Sequence, residues 1–160
     1  MVILLMGVSG SGKTTVGKTL AAELGWEFAD GDDFHSPQNI AKMHAGIALS
    51  DEDREPWLAA LAKAIQGWIS AKHSVVLACS ALKENYRERL VISDEVKVVY
   101  LHGDYELIRR RLAQRHEHYM NPGLLRSQFD TLEEPRNAVT VDITQSPEDI
   151  ASDIRHALGI

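Results

Sequence analysis

Short apolar runs alternate along this chain with longer stretches in which apolar residues return every three or four positions. Val2-Ile3-Leu4-Leu5-Met6 is wholly apolar and predicts a buried strand. Lys13 to Leu24 follows as a helix that Gly25 stops. Trp26 to Ala29 predicts a second strand, running into Asp30-Gly31-Asp32-Asp33. Ser36-Pro37 pairs an N-cap residue with a first-turn proline and opens a short helix to about Ala45, before Gly46. The clearest helical pattern begins at Pro56: Trp57, Leu58, Leu61, Ala62, Ile65, Trp68 and Ile69 share one face. His73 to Cys79 predicts a third strand, whose centre Val75-Val76-Leu77-Ala78 is continuously apolar, as a strand covered on both faces requires. Lys83 to Val91 reads as helix, Val96 to Leu101 as a fourth strand, and Tyr105 to about His116 as a very basic helix. Leu124 to Leu132 predicts another short helix and Ala138 to Ile143 a fifth strand. Ser146-Pro147-Glu148-Asp149 then caps a last helix with Ile150, Ile154 and Leu158 on its inner face.

Alternation of this kind builds a parallel sheet with helices on both faces, an α/β fold. Ligands of such sheets gather beyond the C-terminal ends of the strands, so segments 7–14, 30–35, 79–83 and the one after 143 are expected to converge. Neither a repeat nor a linker interrupts the 160 residues, which predicts one domain over 1–160.

Composition narrows the partners. A hydrophobic content of 44% and a charged content of 25% are those of an ordinary globular domain. The net charge of −6 argues against nucleic-acid backbone as the main partner. No apolar run approaches the length of a membrane span, so no membrane partner is expected. Cys79 is the single cysteine; it excludes an internal disulfide, fits a reducing compartment, and reads as a small buried residue rather than a nucleophile. With nothing like a signal peptide at the start, the expected location is cytoplasmic.

The strongest chemical signal is Gly7-Val8-Ser9-Gly10-Ser11-Gly12-Lys13-Thr14, set between a predicted strand and a predicted helix. Its spacing is that of a phosphate-binding loop. Glycines let successive N–H groups turn inward onto phosphate oxygens, and the helix start adds partial positive charge. Lys13 would reach the β- and γ-phosphates, the Thr14 hydroxyl would ligate Mg²⁺, and Thr15 would sit near the α-phosphate. A nucleoside triphosphate with Mg²⁺ is therefore the expected ligand.

At the end of the second predicted strand, carboxylates one and two residues apart suit two tasks: holding the metal shell and accepting the proton of a substrate hydroxyl. Position alone does not choose the base among Asp30, Asp32 and Asp33. No carboxylate stands at the end of the third strand, which leaves Asp30 as the nearest metal candidate beside Ser80. Lys83 and Arg87 fall one helical turn apart and suit an anionic substrate, as does Arg54. The basic helix containing Arg109, Arg110, Arg111 and Arg115 runs into Asn121-Pro122-Gly123, a pattern that fits a lid at about 114–124 with arginines on the phosphoryl group in transit. Arg111 and Arg115 are the candidates there, and metal ligation by His116 and His118 is not expected.

Further stretches occur in one order with these: Asp-Gly-Asp-Asp-Phe-His at 30–35 with Asn39-Ile40-Ala41-Lys42-Met43, then Leu49-Ser50-Asp51-Glu52-Asp53-Arg54-Glu55-Pro56-Trp57-Leu58. Cys79-Ser80-Ala81-Leu82-Lys83-Glu84-Asn85-Tyr86-Arg87, Ser127-Gln128-Phe129 and Leu132-Glu133-Glu134-Pro135 complete the set. Together they closely resemble the gluconokinases over nearly the whole chain. The resemblance implies a nucleoside-monophosphate-kinase-like three-layer P-loop kinase fold with a five-stranded parallel sheet and a lid. It implies transfer of the ATP γ-phosphoryl group to the 6-hydroxyl of D-gluconate, with ATP and Mg²⁺ as the expected cofactors, and a homodimer. By analogy with shikimate kinases, Asp30 is the metal-side carboxylate and Asp32 faces the substrate hydroxyl. His35, Arg54, Lys83 and Arg87 become candidates for the sugar acid, Arg115 for catalysis, and Arg111 with Pro147 for the adenine. A kinase of another small acid such as shikimate is the rival within enzymes. A nucleotide-dependent switch is the rival outside them, though no guanine-specifying N-K-x-D stretch is present.

Overall fold

The computed structural model describes residues 1–114 and 122–160. Five strands, β1 (Val2–Met6), β2 (Glu27–Asp30), β3 (Val75–Ala78), β4 (Val96–His102) and β5 (Val139–Asp142), form one parallel sheet in the order β2-β3-β1-β4-β5. The helices are α1 (Lys13–Leu24), α2 (Pro37–His44), α3 (Asp51–Ser70), α4 (Glu84–Leu90), α5 (Tyr105–Ala113), α6 (Pro122–Thr131) and α7 (Pro147–Leu158). Parallel neighbours require crossovers, and the helices supply them on both faces.

β1 lies at the centre because all five of its residues are apolar and none is exposed. Its side chains alternate between two cores. Ile3 and Leu5 pack with Val16 and Leu20 of α1, Ile108 and Leu112 of α5, and Ile150 and Ile154 of α7. Val2, Leu4 and Met6 pack with Trp57, Leu58, Leu61 and Ile65 of α3 and Tyr86 and Leu90 of α4. That gives three layers, as expected.

Most boundaries fall within one or two residues of the sequence expectations, and α1, α2 and α7 carry the foreseen caps at Gly25, Ser36 and Ser146. One helix does not. α3 starts at Asp51 rather than Pro56, because Ser50 and Asp53 form a reciprocal capping box ahead of the proline. Pro56 forfeits one intrahelical donor, and the cap and the apolar face outweigh it. An unforeseen 3-10 turn, Gly31–Phe34, follows β2.

Candidate active site

The polypeptide leaves β1 at the point where its neighbours β3 and β4 lead to opposite halves of the sheet, which is where such sheets form a crevice. Gly7 to Gly12 makes the turn into α1. Gly12 is the N-cap of α1 with φ 98°, a left-handed conformation that side-chain-bearing residues adopt at a cost. Gly10, with φ 83°, also lies so close to α5 that a Cβ there would come within 2.8 Å of Leu112. The turn is braced from outside and from within: Gly7 N–H donates to Ser80 O beyond the end of β3, Ser11 N–H donates to Val8 O, and Ser11 is buried. Lys13 curls back over it, its ammonium donating to the carbonyls of Gly7 at 2.9 Å and Val8 at 3.0 Å. Thr14 and Thr15 are exposed at the start of α1.

The carboxylates come next to this loop. Asp30 caps the 3-10 turn, its Oδ1 accepting from Asp32 N–H at 2.9 Å. Thr14, Lys18, Asp30, Asp33 and Phe34 line one open cleft of ≈ 510 Å³. A hydroxyl and carboxylates on one cleft make an all-oxygen donor set of the kind Mg²⁺ shares with substrate phosphates, so these residues fit the expected metal. Asp32 is exposed beside them and does not line that cleft.

A second group gathers where α3 begins. Trp57 donates from Nε1 to Gly31 O at 2.7 Å, strapping α3 to the end of β2. The His35 ring stacks on Trp57, with centroids 4.4 Å apart and an interplanar angle of 9°. Asn39 Nδ2 donates to His35 Nδ1 at 3.3 Å and to Asp53 O at 2.7 Å. An amide nitrogen only donates, so Nδ1 is the acceptor and the ring proton sits on Nε2. Burial, aided by the Arg54 charge, holds the His35 pKa down at about 4, which keeps the ring neutral.

Arg54, Asp51, Lys83 and Tyr86 form one connected cluster. Arg54 Nη1 donates to Tyr86 Oη at 3.1 Å, and its guanidinium lies 5.5 Å from that ring. Lys83 Nζ donates to both oxygens of Asp51, at 3.0 and 3.2 Å. Tyr86 Oη donates to Asp51 Oδ1 as well. The tyrosine bond first, then the lysine, holds the Asp51 carboxyl below the usual range, and the same pair raises Lys83. Asp51 and Tyr86 fall within the family-like stretches at 49–58 and 79–87, yet no local pattern assigns them a role. Their pairing spans 35 positions, beyond any helical spacing.

Arg87 has a different employment from the one expected. It is buried, with Nη1 donating to Ala81 O at 2.8 Å and Leu82 O at 3.1 Å, and Nη2 to Glu133 O at 2.7 Å. Its helical spacing from Lys83 does not bring it to the same side, because Lys83 is the N-cap of α4 and still extended. Arg87 is therefore a brace for the β3–α4 connection rather than an open anion contact.

On the far side, Arg111 Nη2 donates to Ile143 O at 2.6 Å, joining α5 to the turn that leads to Ser146 and Pro147. Sequence reasoning named Arg111 and Pro147; the bond from Arg111 reaches Ile143, upstream of Pro147 on the same connection. Arg115, His116, His118 and most of the expected lid lie outside the described residues. Cys79 is fully buried and its thiol is pushed up to about 12, so it is inert at neutral pH. Among the described residues no helix is long and apolar enough to cross a membrane.

A parallel sheet with a phosphate loop at its switch point is the architecture of a P-loop nucleotide-binding protein, and the family model for shikimate kinase, which matches residues 9–158, makes the class a P-loop kinase. The chain is 44% identical to the mouse (Mus musculus) protein named "Probable gluconokinase", covering 98% of this chain and 97% of that one. It is 43% identical to the thermosensitive gluconokinase of Escherichia coli K12, over 97% of this chain and 86% of the relative. A crystal structure of a gluconokinase from Sinorhizobium meliloti superposes with a TM-score of 0.89 at 40% identity, covering 99% of this chain and 91% of that one. The chain belongs to the gluconokinase family of P-loop kinases.

Proposed function

We infer that this protein is a gluconokinase, transferring the γ-phosphoryl group of ATP to the 6-hydroxyl of D-gluconate to give 6-phospho-D-gluconate and ADP. The observation that carries this reading is identity of 44% to the mouse protein named "Probable gluconokinase" across 98% of the chain. The geometry supports it with an arrangement suited to an anionic polyol: Arg54 and Lys83 for the carboxylate, and a neutral His35 Nε2–H for a hydroxyl.

In this mechanism the loop amides and Lys13 hold the phosphates. Thr14 and Asp30 would hold Mg²⁺, which when bound draws charge from the β- and γ-oxygens. Asp32 orients the 6-hydroxyl and takes its proton as the new O–P bond forms and the β–γ bridging bond breaks. Arg115 is proposed to meet the phosphoryl group in transit, and Arg111 and Pro147 to flank the adenine. Positioning and charge neutralisation carry this reaction, with little covalent work for the protein. The protein is further proposed to act in the cytoplasm as a homodimer formed from 1–160 domains, which light scattering on the purified chain would test for stoichiometry.

The deciding assay follows ADP release from Mg²⁺-ATP with D-gluconate, other aldonates, shikimate and no acceptor. Saturable stimulation by gluconate, with the phosphate at carbon 6 by NMR, is expected. Stimulation by shikimate alone would replace the acceptor, and equal hydrolysis in every arm would replace the kinase by a switch.

A further inference from the structure

Gln128 of α6 makes two hydrogen bonds to one residue of the phosphate loop. Its Oε1 accepts from Ser9 N–H at 2.7 Å, and its Nε2 donates to the Ser9 hydroxyl at 3.1 Å. Both ends of the planar amide are engaged, and a reversed amide would set two donors against each other. Ser9 N–H is therefore turned to α6, and the first turn of the loop is shaped by a residue 119 positions away.

The helix presenting Gln128 is firmly fixed just beyond its end. Glu133 N–H donates to Leu82 O at 2.8 Å, Glu133 Oε1 accepts from Glu84 N–H at 2.9 Å, and Glu133 O accepts from Arg87 Nη2 at 2.7 Å. On the inner side, Leu125 is buried in the same core as Val8, Ile108 and Leu112. A Gly-rich loop loses conformational freedom when it closes on a ligand, and bonds that order it beforehand lower that cost.

We propose that Gln128 is a positioning residue for the phosphoryl donor, holding Ser9 so that the loop is already curved for a triphosphate. It acts through Ser9, and the proposal rests on the reading of the loop as the ATP site.

The test uses Gln128→Met, close in size and lacking both polar ends, with binding of a non-hydrolysable ATP analogue measured by calorimetry on the full chain. Loss of two ordering hydrogen bonds is expected to weaken that binding about tenfold. kcat/KM for ATP should fall by a similar factor while KM for gluconate stays within about twofold. Ser9→Ala, which removes only the hydroxyl bond, should lose less, and the double variant should be no worse than Gln128→Met alone. If Gln128→Met fails to fold, Gln128→Asn, one methylene too short to span the gap, is read in its place. Unchanged analogue affinity, or a lower melting temperature without a change in affinity, overturns the proposal. Analogue binding needs no acceptor, so a wild-type chain that binds it but ignores gluconate sinks the acceptor assignment and leaves the role of Gln128 standing.

Discussion

Asp32→Asn keeps size and hydrogen bonding but cannot take a proton, so it separates chemistry from binding. With Asp32 as base, kcat should drop by roughly a hundredfold or more while KM for ATP moves little. Near-normal turnover in steady-state assays would pass the role to Asp33, which lines the cleft with Thr14. His35 makes a prediction of opposite kind. Its folded pKa of about 4 lies below the ordinary 6.5, so between those values the unfolded chain binds a proton that the folded chain refuses. Stability contributed by the neutral ring is complete above pH 6.5 and declines as pH falls toward 4. Thermal melts of His35→Asn should therefore show a shallower loss over that window than the wild type. KM for gluconate should in turn show no inflection near pH 6.5, since the ring in the fold does not titrate there.

α3 carries both Arg54 and Trp57, so its first turn matters to the site as well as to the fold. Ser50 Oγ accepts from Asp53 N–H, and Asp53 Oδ2 accepts from Ser50 N–H. Ser50→Ala should cost about 1 kcal/mol in denaturant unfolding and raise KM for gluconate, with KM for ATP unchanged. The same helix shows where sequence reading succeeds and where it stops. Local signals are decisive where one motif acts alone: Gly25, Ser36-Pro37 and Ser146-Pro147 mark their helix ends correctly. At α3 two local signals compete, a proline that reads as a start and a capping box upstream, and their balance depends on packing. The burial of Arg87 escapes notice for a related reason, because Lys83 is itself an extended N-cap residue and the helical spacing that pairs the two does not hold. Gln128 and Asp51 were hidden by distance along the chain, since hydrogen bonds spanning 119 and 35 positions leave no periodic trace.

Across the molecule, the order of the strands was only partly written in the sequence. Apolar runs identify β1 and β3 as covered on both faces, while β2 and β5, at the two edges, carry exposed or half-buried residues and had weaker signals. That gradient predicts how the protein opens. Amides of Val2–Met6 should exchange only through global unfolding, whereas those of β2 and β5 should exchange sooner, as hydrogen-exchange mass spectrometry would resolve. Uniform protection across the sheet would contradict the central placement of β1. The stacked pair of Trp57 and His35 extends the consequence to optics. An indole held against an imidazole, with its N–H fixed on Gly31 O, emits light in a way that depends on that contact. Gluconate arriving at His35 should therefore change the intrinsic fluorescence of the protein, a change absent in Trp57→Phe and unaltered in Trp26→Phe. The acceptor pocket then contains its own dye, and occupancy can be followed in real time without a label.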